Sequence, residues 1–109
     1  METLEQRLGL IDRHVGRAVQ AAQGEATASP VLRAVLGEFE RKSRKVREML
    51  QQKGEPAARE YVVEFEEAAD CAKVAAEADA GLSAEARKLV VLAHDAICML
   101  KAGAPAIPE

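Results

Sequence analysis

The segment SPVLRAVLGEFERKSRKVREMLQQKGEP, residues 29–56, carries a helix together with its own start and stop signals. Ser29 is a residue type that accepts a hydrogen bond from the free N–H groups of a first helical turn. Pro30 fits the first helical position, because the N–H it lacks would have no partner there. Leu32, Val35, Leu36, Phe39, Ser43, Val46 and Leu50 then recur at three- and four-residue intervals, which stacks them on one helical face. Gly54 stops the helix, and Pro56 begins the next. A helix with one apolar face must bury it against another element, so the segment predicts a helical hairpin within a larger helical assembly.

The pattern continues on both sides. Upstream, Leu4, Leu8, Ile11, Val15, Ala18, Val19 and Ala22 form one stripe that ends at Gly24. Downstream, Ala58, Tyr61, Val62, Phe65, Ala68, Ala69, Ala72, Ala75 and Ala76 form the third stripe, which Gly81 ends. Ser83 is placed to cap a fourth helix, with Glu85 in the first turn where negative charge suits the helix dipole. Its inner stripe is Ala86, Leu89, Val90, Ala93, Ile97 and Leu100, closed by Gly103. The expected fold is an all-α, up-down-up-down antiparallel four-helix bundle with helices at about 3–23, 30–53, 56–79 and 84–102. The bundle domain covers residues 1–103, and residues 104–109, Ala-Pro-Ala-Ile-Pro-Glu, read as an extended tail.

Composition agrees with one small domain. The chain has 109 residues, 49% of them apolar, but only 3% aromatic and no Trp. Leu, Val, Ile and Ala must therefore fill the core, and Ala lets helices approach closely. No apolar run reaches the ~20 residues that span a bilayer, and no secretory leader pattern is seen, so a cytoplasmic, membrane-free protein is expected. A net charge of −3 argues against a general nucleic-acid partner. The charge is uneven: residues 1–54 hold ten Lys/Arg and seven Asp/Glu, residues 55–109 five and eleven. The basic run at Arg41, Lys42, Arg44 and Lys45 is expected to face Glu64, Glu66 and Glu67 across the hairpin, with Glu40 supporting Arg44 along the same helix. Cys71 and Cys98 are expected to be reduced, inert, buried or half-buried thiols too far apart to bridge.

Residues 89–100, LVVLAHDAICML, are apolar at ten of twelve positions, with His94 and Asp95 in their midst. With Ala93 facing the core, His94 lies on the flank and Asp95 points nearly outward, in a second stripe of Lys88, Val91, Leu92, Asp95, Cys98, Met99 and Ala102. A helix apolar on two faces is usually covered on both. The leading expectation is a non-enzymatic interaction module without cofactor, self-associating or docking a partner protein's helix through helix four. In a two-fold dimer with its dyad between Val91 and Leu92, Asp95 would meet Lys88 of the mate.

Two site chemistries compete with that reading. His14 and His94 fall near the midpoints of their helices, so a metal site in one mid-bundle layer is an alternative, joined by Glu67, Asp70 or Cys71 from helix three. His94 and Cys98 also have ligand-compatible spacing. The Glu-x-x-His element of di-iron bundles is absent, and half-exposed flank histidines are the plainer expectation. Separately, Arg87 and His94, six residues intervening, resemble the Arg-x(4–6)-His element of HEPN-type helical ribonucleases. That resemblance implies RNA binding or cleavage, with His94 as general acid or base and Arg87 steadying phosphate charge. Lys88 after the arginine and the lack of an aromatic residue after His94 depart from it. The His-x-Leu-Lys-Gly pattern of phosphotransfer bundles is not matched, because Leu100-Lys101 comes two turns after His94.

Overall fold

A computed structural model describes residues 2–108; Met1 and Glu109 lie outside the described residues. Four helices follow one another, α1 Leu4–Gln23, α2 Pro30–Lys53, α3 Glu55–Ala78 and α4 Ala84–Ala102. Each packs on two neighbours, α1 on α2, α2 on α3, α3 on α4 and α4 on α1, which closes the expected four-helix bundle. The 24 residues of α2 correspond to about 36 Å of helix, close to the 40 Å long axis of the molecule.

The helix starts follow the capping logic. Thr3, expected inside α1, stays outside it as the cap: its hydroxyl accepts from Gln6 N–H, and the Gln6 side chain accepts from Thr3 N–H. Ser29 and Ser83 cap α2 and α4 by accepting from Leu32 N–H and Ala86 N–H. At the other end of α2, Gly54 alone links α2 to α3, at φ 92°, a conformation that a side chain would strain. Asp79 closes α3, so this helix runs one residue earlier at both ends than the stripe suggested.

The core is drawn largely from the four stripes, with Ala28, Leu82 and Ala96 buried outside them and Val35, Leu50, Tyr61, Ala75 and Leu89 only partly buried. Phe39 and Phe65 are 0% and 1% exposed, and their ring centroids lie 5.6 Å apart at the α2–α3 contact. Alanines 58, 68, 69, 72 and 76 line the buried side of α3, which lets its neighbours approach closely.

Three expectations need correction. His14 is 2% exposed rather than half exposed, because the tail folds back over it, and Cys71 is exposed rather than buried. Of the basic run, only Lys42 is seen crossing to α3, reaching Glu64 at 3.0 Å and the Tyr61 hydroxyl at 3.2 Å. These partners push the Lys42 ammonium's pKa upward, Tyr61 first and Glu64 second. Arg41 and Arg44 pair along their own helix with Glu38 and Glu40, while Glu66 is held by Lys101 of α4. Lys42 thus meets Glu64, one of the three acids expected to face the run, while no contact to Glu66 or Glu67 is seen for it.

The two ends of the bundle are built differently. At one end, the α1–α2 and α3–α4 loops are stitched together: the Asp79 carboxylate accepts from Ser29 N–H and Gly81 N–H, and Thr27 Oγ1 donates to Gly81 O. At the other, Gly103 ends α4 at φ 74° and the tail turns back along α1. Arg7 donates to Ala104 O, His14 Nε2 donates to Ile107 O at 3.1 Å, and Ile107 packs against the core. No helix among the described residues is long and apolar enough to cross a membrane.

Candidate functional site

The outer half of α4 and the adjoining edge of α3 bring the chemically distinctive side chains together. His94 lies at the α3–α4 seam with its side chain only 12% exposed, and each ring nitrogen faces a carboxylate. Nδ1 is 3.0 Å from Asp95 Oδ1 on the same helix, and Nε2 is 2.8 Å from Asp70 Oδ1 on α3. Cys98, one turn further along α4, places Sγ 3.6 Å from Nε2. One donor atom from each of Asp70, His94 and Cys98 lies within 4.8 Å of the other two, which is the reach of a shared cation.

Charge around the thiol is one-sided. Burial first, then the neighbouring Glu66, Asp70 and Asp95, push the Cys98 thiol pKa up, so the free side chain is held as the neutral thiol. Glu66 approaches that thiol from α3, one helical turn before Asp70, and Lys101 holds its Oε1 at 2.7 Å. The Lys101 ammonium's pKa is raised chiefly by that hydrogen bond.

The polar pair in the apolar run 89–100 is joined locally: Asp95 holds the His94 ring, within the same chain. Its side chain is 47% exposed, so it lies on the outer side of α4 as expected, while the partner seen for it is His94. Around it, Lys88 and Met99 are exposed, and Val91, Leu92 and Cys98 are half-buried.

The other residues singled out in the sequence are placed apart. His14 is buried under the tail, and the cluster of Asp70, His94 and Cys98 forms without it. Arg87 turns to the α3–α4 loop, where Nε donates to Ala76 O and Nη2 to Asp79 O and Leu82 O. Those carbonyls lie at and just beyond the C-terminal end of α3, so the guanidinium caps that helix. His94 turns to Asp70 and Asp95 instead, and the two side chains do not converge on one point.

Glu66, and Asp95 as the residue orienting His94, were not legible as part of a site. The signal was the parallel spacing of Glu66 with Asp70 and of His94 with Cys98, two one-turn pairs on neighbouring helices. No family model, curated protein or solved structure matches the chain.

Proposed function

We propose that this chain is a non-enzymatic docking module, and that the outer face of α4 with the adjoining edge of α3 receives a basic amphipathic helix of a partner protein. One observation carries the reading: of the four large apolar side chains that stand exposed among the described residues, Val63, Val74 and Met99 belong to α3 and α4, and Val31 lies on α2. Val91 and Leu92 lie half-covered on the same side of α4. Exposed acids stand along α3, at Glu60, Glu67, Asp70 and Glu77. Apolar anchors rimmed by negative charge favour a helix with an apolar stripe and basic flanks. A second copy would bring its own acidic half against this one, since residues 55–109 carry eleven Asp/Glu and five Lys/Arg. The use of Arg87 as a helix cap leaves the ribonuclease reading without a converging pair.

Fluorescence anisotropy with a labelled Leu/Lys amphipathic helical peptide tests this. Saturable binding should weaken with salt, and Val91→Arg and Met99→Arg should each weaken it by more than about tenfold, the change expected when a charge enters an apolar contact. Equal binding of a sequence-scrambled peptide of the same charge would reduce the effect to bulk attraction and overturn the proposal. Sedimentation gives a second outcome: a doubled mass that returns to monomer in Val91→Arg would make a second copy the occupant.

A further inference from the structure

We infer that Asp70, His94 and Cys98, with Glu66 beside them, form a binding site for a transition-metal ion of the zinc class that ties α3 to α4. This goes beyond the docking reading and stands without it.

A neutral imidazole carries one N–H and one lone pair, yet both His94 nitrogens face carboxylate oxygens at hydrogen-bond distance. If Nδ1–H donates to Asp95, the Nε2 lone pair confronts Asp70 Oδ1 at 2.8 Å, and only a proton or a metal ion between them makes that approach favourable. A ring whose far nitrogen donates to a carboxylate while the near one is free is the arrangement that orients metal-bound histidines and raises their basicity. Asp95 supplies that carboxylate.

The donor atoms lie within one ion's reach, and small side-chain rotations bring them to a tetrahedral set. Zn–N and Zn–S bonds of roughly 2.05 and 2.3 Å place tetrahedral nitrogen and sulfur donors about 3.5 Å apart. Sγ of Cys98 lies 3.6 Å from His94 Nε2 and 4.0 Å from Nδ1, beside the ring rather than along the Nε2 lone pair, so the thiol must turn about its χ1 bond toward Asp70 to share an ion with that nitrogen. The Asp70 oxygen must open by about half an ångström to admit an ion, since zinc-bound N and O donors sit roughly 3.3 Å apart. Its side chain is 59% exposed and has room to move. Glu66, one turn before Asp70 and 19% exposed, lies beside these three and has one oxygen held by Lys101; water or the second Glu66 oxygen completes the ion's shell. A mixed nitrogen, sulfur and oxygen set suits zinc over magnesium or calcium, which take oxygen alone. On binding, the Cys98 S–H proton leaves to solvent and the thiolate forms the metal–sulfur bond; no electron is transferred.

Cobalt(II) titration of the reduced full chain reads the site directly, because a thiolate ligand gives charge-transfer absorption in the near ultraviolet. The wild type should show this band saturating at one equivalent, and zinc should bleach it. Cys98→Ser should abolish it, whereas Cys71→Ser should leave it intact. Asp70→Asn and His94→Gln should weaken binding, and Asp95→Asn, as a positioning residue, should cost about 10–100-fold in affinity while keeping the band. Far-ultraviolet circular dichroism confirms that each variant is folded. Absence of the band in folded wild type, its survival in Cys98→Ser or its loss in Cys71→Ser would overturn the assignment.

Discussion

Replacing Arg87 by Ala separates its structural role from a catalytic one. The side chain makes three hydrogen bonds, to Ala76 O at 3.1 Å, Asp79 O at 3.0 Å and Leu82 O at 3.1 Å. A hydrogen bond involving a charged group contributes about 1.5–3 kcal/mol. Three bonds from one guanidinium share a single desolvation cost and are not additive, and a half-buried site lets water replace part of what is lost. The expected loss is therefore about 2–3 kcal/mol, well below the simple sum. For a domain of this size that lowers Tm by roughly 8–24 °C. Arg87→Lys should recover less than half, because one ammonium cannot reproduce the forked contacts. Urea unfolding followed by circular dichroism, with the slope checked for constancy, gives the difference. A loss below about 0.5 kcal/mol, the range of an ordinary surface change, would refute the capping role.

Other expectations are as direct. Phe65→Ala removes a ring that is 1% exposed and packed at a tilt against Phe39, so a loss of about 3–5 kcal/mol in urea unfolding is expected, and less than ~1 kcal/mol would show that the cavity closes. At Gly81 an added Cβ would lie 2.3 Å from Thr27 O, a backbone atom that cannot turn aside, so Gly81→Ala should cost about 1–3 kcal/mol. At Gly9 and Gly16, inside α1, an added Cβ meets nothing within 4 Å, so Ala there should stabilise by about 0.5–1 kcal/mol each; equal effects at all three glycines would contradict the packing. The Asp79 carboxyl is held below its ordinary 3.8, first by the hydrogen bond from Ser29 N–H and also by that from Gly81 N–H, with burial opposing. Its contribution to stability is thus complete above about pH 4 and fades as pH falls through the lowered value. The Tm gap between wild type and Asp79→Asn should be open at pH 7 and narrow in acid; a gap unchanged by acid would show that the carboxylate charge is not what matters.

Local rules determined most of the fold. Ser29-Pro30, Gly54, Ser83 and Gly103 mark helix ends through hydrogen bonding and backbone conformation, which depend on a few neighbouring residues. The apolar stripes identify the buried faces because helical periodicity is a local property, and α2 and α4 end where their signals stand. What the chain does between helices was decided by tertiary packing. The level at which Lys42 meets α3 depends on how the Gly54 turn sets the two axes. The burial of His14 depends on a tail that the pattern shows only as extended. The use of Arg87 as a cap depends on a loop folded beneath it. The same holds for the His94 cluster: the one-turn spacing of His94 and Cys98 is visible in the sequence, but that Asp70 and Glu66 face them depends on the rotation of α3 about its axis. That rotation is set by packing around Phe65 and the buried alanines, because a side chain's neighbours across a helix seam follow from the whole core and not from its own segment.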